Sequence, residues 1–333
     1  MFSKRLTHRS ETSKYFTSDK GLALLMVLWV LAVLSVIVLS FAYMARTEVL
    51  STISFRDGME KKFLAEAGIE RGIMELFYRN ANKNQRTAIE GSEIVRIDGR
   101  KFDGDLGDST YSFSITDESG KLNVNFLTDA NGIILNNLLV NLGISGEDAS
   151  MIVDSILDWK DEDDLHRLHG AEDTYYQALP VPYKAKNGKL DTLEELLLVR
   201  GMTPEIMFGS GSRPGLINFL TVYSKGPAIN LNAAVKEVIM ALPNITSSMA
   251  DRILEYRETA ELRGQQDIIA IIGDVFKTIA PYIGFIESNM YTIEGRGLKE
   301  DESRGYAIRA VISIEGGNQP RYHYYKSPSD VKN

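Results

Sequence analysis

Seven carboxylates crowd the sixteen residues from Asp158 to Asp173: Asp158, Asp161, Glu162, Asp163, Asp164, Glu172 and Asp173. Left unpaired they repel one another. Hard oxygen donors at one- and two-residue offsets in a loop suit calcium, which takes roughly six to eight oxygen ligands, although the EF-hand pattern with its glycine and closing glutamate is missing. The candidate ligands are Asp158, Asp161, Asp163, Asp164, Glu172 and Asp173, and a merely solvated acidic loop is the plainer alternative. His166 and His169 stand three apart beside them. On a helix that spacing offers two imidazoles to zinc, but Gly170 and the crowded charges argue against a helix, and carboxylates favour calcium over a transition metal.

Other chemistry is thinly represented. The chain of 333 residues has no cysteine, so disulfides, zinc-thiolate sites and thiol nucleophiles are excluded. It has no G-x-S-x-G elbow, no Walker loop and no H-E-x-x-H. Trp159 and the Tyr175–Tyr176 pair read as core or interface aromatics, and Gly209-Ser210-Gly211-Ser212 reads as a linker. A net charge of -8 is a poor footprint for nucleic acid, whose binding draws on clustered cations. These features point to a structural or binding protein rather than an enzyme.

The elements that must carry the acidic run begin with an anchor. Leu22 to Ala45 contains no charged residue, and 24 positions span roughly 36 Å as a helix, enough to cross a bilayer. Residues 1–21 carry Lys4, Arg5, Arg9, Lys14 and Lys20 against Glu11 and Asp19, a cytoplasm-retained end. Beyond the anchor, Ile69, Ile73, Leu76 and Phe77 share one helical face while Arg71, Glu75 and Arg79 share another, so residues 46–80 continue the helix amphipathically. Asn80 to Asn84 reads as a polar loop. The period then changes to that of strands: Tyr111, Phe113 and Ile115 alternate with polar neighbours, Tyr306, Ile308, Ala310, Ile312 and Ile314 alternate with Ala307, Arg309, Val311, Ser313 and Glu315, and a further strand follows at Arg321 to Lys326. Between them lies a helical block. Ser145-x-x-Asp148 opens a helix with Ala149, Ile152, Val153, Ile156 and Leu157 on one face, Thr192-x-x-Glu195 opens a second, and Thr203-Pro204 a third. The reading is an α/β protein with a small antiparallel sheet from residues 81–125 and 281–326 and an inserted helical domain at 126–280.

Several segments resemble a known family. Lys20-Gly21-Leu22-Ala23-Leu24-Leu25-Met26 looks like a type IV prepilin leader junction, and Phe63-Leu64-Ala65-Glu66-Ala67-Gly68-Ile69-Glu70-Arg71-Gly72 resembles the stretch that follows the anchor in K-type minor pseudopilins of type II secretion. Ile156 to Asp164, Gly170 to Tyr176, Leu193 to Thr203, and Asn230 to Ala234 after Leu220 to Ser224 are similar to the same family, in the same order. The resemblance implies a pilin-like fold and cleavage between Gly21 and Leu22 by a prepilin peptidase. It also implies a single-pass inner-membrane protein with its bulk in the periplasm, at the tip of a pseudopilus with I- and J-type minor pseudopilins above the major pseudopilin filament. Calcium in the insertion is implied too. Position five after cleavage is ordinarily a glutamate in this superfamily; here it is Met26, which fits a subunit that need not dock beneath another.

A second resemblance leads elsewhere. Asn230 to Glu258 is similar to the helix-hairpin-helix of membrane-anchored, competence-type DNA receptors, where the hairpin reads Pro-Gly-Ile-Gly. Here it is Pro243-Asn244-Ile245-Thr246, without the glycines whose bare amides approach a phosphate. With the acidic balance, this leaves a structural hairpin and no nucleic acid.

Overall fold

The computed structural model describes residues 19–82, 95–298, 305–315 and 319–329. The leader up to residue 18 and the loop from residue 83 lie outside them. The chain divides into two compact units, Met1–Met59 and Glu60–Asn333.

Helix α1 covers Asp19–Ala81. Its first stretch is long and apolar enough to cross a membrane, with a mean hydropathy of 3.1 over the best window and none of that window buried within the protein. Gly21, Leu22 and Met26 all lie in this exposed part. In the second unit the character of α1 changes: Ala65, Ile69, Ile73 and Leu76 are buried, while Arg71 pairs with Glu75 one turn on.

Two strands follow, β1 (Asp98–Leu106) and β2 (Ser109–Asp117). Then come three small ladders in the helical body: β3 (Leu122–Asn123) with β6 (Leu220–Thr221), β4 (Gly209–Ser210) with β5 (Arg213–Pro214), and β7 (Ile229–Asn230) with β8 (Ile283–Gly284). The Gly-Ser stretch is thus a tight hairpin instead of a linker, because Gly209 and Gly211 take positive φ and let the chain reverse. The chain ends on β9 (Met290–Leu298), β10 (Tyr306–Ser313) and β11 (Arg321–Lys326). The main sheet has the order β1-β2-β9-β10-β11 and is antiparallel throughout, with Phe113 opposite Gly295 and Ile293 opposite Ala310. Phe113, Ile115, Ile293, Ile308, Ala310 and Ile312 close one apolar core with the buried face of α1.

Glycines set how closely helix and sheet meet. A Cβ on Gly295 would lie 2.1 Å from the Ala65 carbonyl oxygen, and one on Gly297 2.0 Å from that of Lys61. From the helix side, a Cβ on Gly68 would lie 2.9 Å from the Ser112 carbonyl. Gly68 and Gly72 each cost about 1 kcal/mol as helix-interior residues, and the close approach is what they permit in return.

Between β2 and β9 the chain builds a second core, running from Leu122 to Ile279. It therefore begins a few residues before 126, because the strand at Leu122 and the turn at Val124 pack with the helices. Its helices are α2 (Gly132–Asn141), α3 (Gly146–Lys160), α4 (Asp173–Gln177), α5 (Pro204–Phe208), α6 (Lys236–Ala241), α7 (Ser247–Thr259), α8 (Gln265–Ile272) and α9 (Phe276–Ile279). The Thr192 capping box opens a 3-10 turn, Leu193–Leu198, in place of an α-helix.

One turn device recurs three times. Gly143, Gly201 and Asn244 each adopt positive φ two residues before an N-cap, Ser145, Thr203 or Thr246, whose hydroxyl accepts from a backbone amide three residues on. Asparagine is the residue that best replaces glycine in that conformation, so Pro243-Asn244-Ile245-Thr246 keeps the hairpin shape without its glycines. Asn137 and Asn141 of α2 donate to the carbonyls of Ala241 and Met240 in the last turn of α6, tying two of these hairpins together.

The two cores meet at Asp117. Its carboxylate accepts from the Ser119 amide at 2.9 Å and from the Ser288 amide at 3.1 Å, and also from the Ser288 hydroxyl. Thr292 donates to Glu118 at 2.6 Å beside it.

Candidate metal site

The Ser145 cap starts α3, and the helix carries Asp158 on its buried side to within a turn of its end. Asp161 ends the helix in extended backbone, and the chain then loops out and returns to place Glu172 at the cap position of α4. Carboxylate oxygens of Asp158, Asp161 and Glu172 come together within 4.8 Å of one another. Trp159, the next residue after Asp158, is buried and packs edge-on against Tyr176, ring centroids 5.0 Å apart. Gly170 is required where the returning loop crosses: a Cβ there would lie 1.8 Å from Asp158 Oδ2.

The charge balance of the cluster is unequal. Arg167 Nη1 donates to Asp158 Oδ1 and to Asp161 Oδ2, both at 2.7 Å, and its Nε donates to Asp129 Oδ1 at 2.8 Å. The Arg167 amide adds a bond to Asp158 Oδ2 at 3.1 Å. Glu172 receives nothing of the kind: it is 2% exposed, and neither of its carboxylate oxygens has a hydrogen-bond partner, nor does Asp161 Oδ1. Burial, then the neighbouring Asp158 and Asp161, push Glu172 up to about 7. Burial also raises Asp158 against the pull of Arg167. Lys160 does not help, since its ammonium turns to the carbonyls of Val124 and Leu127 at 2.7 and 3.0 Å, where burial lowers it to about 8.

A buried carboxylate without a donor costs several kcal/mol if ionised. Three carboxylates against one guanidinium leave two negative charges, and every free donor atom is an oxygen. A hard divalent cation, were one held by Asp158, Asp161 and Glu172, would answer both features.

The other three candidates go elsewhere. Asp163 is exposed and accepts from the Leu165 amide at 2.8 Å, Asp164 is exposed, and Asp173 accepts from the Ala185 amide at 2.8 Å while pairing with Lys184. Their offsets in sequence suited a loop site, but the end of α3 turns only Asp158 and Asp161 inward. The histidines do not converge on zinc either: His169 binds Asp154 through both its amide and its ring, and the His166 ring faces the Arg167 carbonyl. Arg167 escaped the sequence reading, although Lys160 and Arg167 are the only cations inside the run.

Comparison with known proteins gives a consistent picture. Residues 120–208, which contain the whole cluster, match the family described as Type II secretion system (T2SS), protein K. The chain is 24% identical over 312 residues to the putative type II secretion system protein K of Escherichia coli (strain K12), covering 86% of this chain and 92% of that one. It is 28% identical to type II secretion system protein K of Pectobacterium carotovorum subsp. carotovorum over 56% of this chain and 60% of that one. The protein K of Klebsiella pneumoniae is again 28% identical, over 55% of this chain and 58% of the relative. In fold, the chain is similar to one in the crystal structure of the GspK-GspI-GspJ complex from the enterotoxigenic Escherichia coli Type 2 Secretion System, with a TM-score of 0.59 at 17% identity over 85% of this chain and all of that one. The apolar N-terminal helix, the antiparallel sheet and the inserted helical body thus stand in a chain that is similar over most of its length to type II secretion system protein K and carries that family's match at residues 120–208.

Proposed function

We propose that this subunit sits at the tip of a periplasmic pseudopilus, anchored through α1 in the inner membrane, and caps a small assembly with I- and J-type minor pseudopilins above the major filament. The observation that carries the proposal is the family match at residues 120–208, which follows in the chain an apolar helix, Gly21–Ala81, long enough to cross a membrane. The solved relative, described as a complex of K, I and J subunits, supports the partners. Met26 supports the tip position: without a carboxylate at position five of the cleaved chain, α1 has no group to pair with a neighbour's amine in the bilayer. Its role is mechanical, and calcium bound by Asp158, Asp161 and Glu172 would pin the end of α3 to the start of α4.

Maturation supplies the first test. Cleavage between Gly21 and Leu22 is expected when the full chain is expressed with a prepilin peptidase, and Gly21→Leu should leave it uncut. N-terminal sequencing that finds Met1 or Phe2 on the membrane-extracted protein rejects the prepilin reading. Crosslinking in assembled pseudopili should recover the chain with minor subunits only; distribution along the shaft at the abundance of the major subunit rejects the tip.

A further inference from the structure

Arg167 stands in a peculiar relation to the cluster. Its guanidinium holds two of the three carboxylates through one nitrogen, and it gives nothing to the third, Glu172, which is the most in need of a cation. The other edge of the same guanidinium reaches outward to Asp129, whose side chain is 75% exposed. The residues that flank it, Leu165 and Leu168, are 79% and 86% exposed, so the segment bearing Arg167 has little packing to lose by moving.

We infer that Arg167 is a resident counter-cation, which a divalent ion must displace from Asp158 and Asp161 before it can occupy the cluster; this rests on the calcium reading above. The reason is electrostatic. Asp158 Oδ1 and Asp161 Oδ2 each lie 2.7 Å from Arg167 Nη1. An ion ligated by the same oxygens at roughly 2.3–2.6 Å would press like charge against like charge beside the buried Asp158 and Glu172, where screening by water is weak. Asp129 offers the displaced group a place to go, since Nε and Nη2 already bond there at 2.8 and 3.3 Å and only Nη1 has to let go. Two consequences follow from the exchange. The metal-free chain is left with one unpaired carboxylate in the cluster, Glu172, in place of three, and the site binds its ion more weakly than its donor set would alone. A cluster of this kind fills only where calcium is abundant.

The test is calcium titration by calorimetry on the full chain in detergent, comparing wild type with Arg167→Gln and Arg167→Lys. Arg167→Gln should bind calcium at least tenfold more tightly than wild type, and in chelator it should melt at a lower temperature, because the cluster then has no cation. Arg167→Lys, which keeps the charge but not the fork that reaches the cluster and Asp129 at once, should fall between. If Arg167→Gln does not fold in chelator, Arg167→Lys carries the comparison and must exceed wild type several-fold. Equal or weaker affinity in the variants overturns the displacement while leaving the calcium site standing. Absence of calcium binding in wild type and in every variant overturns both.

Discussion

Gly295→Val is expected to destabilise the second unit by about 3 kcal/mol or more, seen as a fall of roughly 6–12 °C in melting temperature. The cause is backbone against backbone: even a Cβ at this position would lie 2.1 Å from the Ala65 carbonyl and 3.0 Å from the Ile69 amide nitrogen. No rotamer relieves that overlap, so α1 must lift from β9 and uncover Ile69 and Ile293, both buried in the same core. The natural control is Gly58→Ala, also within α1, where an added Cβ meets nothing within 4 Å. There the substitution should be neutral or stabilising by up to about 1 kcal/mol, from helix propensity alone. Differential scanning of the two variants in detergent checks the pair; a fall of less than 2 °C for Gly295→Val would show that the helix shifts without cost.

Glu172→Gln should have effects of opposite sign with and without calcium. The group's folded pKa, pushed up to about 7, lies above its ordinary value of 4.5, so the folded state binds the extra proton and loses stability as pH rises through that interval. Above pH 7 the metal-free wild type carries the full penalty of an ionised, partnerless carboxylate, and the glutamine removes it. In chelator at pH 8 the variant should therefore melt higher than wild type. Added calcium should reverse the order: ion at a hundred times its Kd stabilises the wild type by about 2.7 kcal/mol, and the variant, with one charged ligand gone, gains little. Asp161→Ala should likewise lose the calcium gain, whereas Asp163→Ala should keep it, because Asp163 lies outside the cluster. Melting curves in calcium and in chelator that coincide for the wild type would dismiss the metal while leaving the family assignment intact.

What could be read from sequence followed the range of the interactions. The anchor, the amphipathic continuation through Ile69 and Ile73, the alternation at Tyr111 to Ile115 and the caps at Ser145 and Thr203 are all local patterns, and each appears in the structure as expected. The acidic run was also evident, but not which of its members converge. That depends on where α3 stops and on Gly170 letting the returning chain cross Asp158. Arg167 was missed for a similar reason, since a lone arginine in an acidic stretch shows its partners only once Asp129, far earlier in the chain, is brought beside it. Gly295 and Gly297 carry no signal of their own in the sequence; their purpose is visible only against the carbonyls of α1.

The arrangement of the two cores also sets an order of assembly. Neighbouring strands β2 and β9 pair Asp117 with Tyr291, and everything between them belongs to the helical body, whose core is complete by Ile279. A chain growing from its N-terminus has therefore made the whole of that body before β9, β10 and β11 exist. The body can collapse on largely local contacts, drawing the ends of β2 and β9 together and reducing the loop-closure entropy their pairing would otherwise cost. Until the final strands arrive, Ile69, Ile73 and Leu76 of α1 have, among the described residues of their core, the β1–β2 hairpin with Val95 and Ile97 ahead of it to cover them. A message truncated before Met290 would yield a membrane-tethered chain with a folded middle and a bare apolar stripe, the state that chaperones and proteases at the membrane surface are suited to intercept.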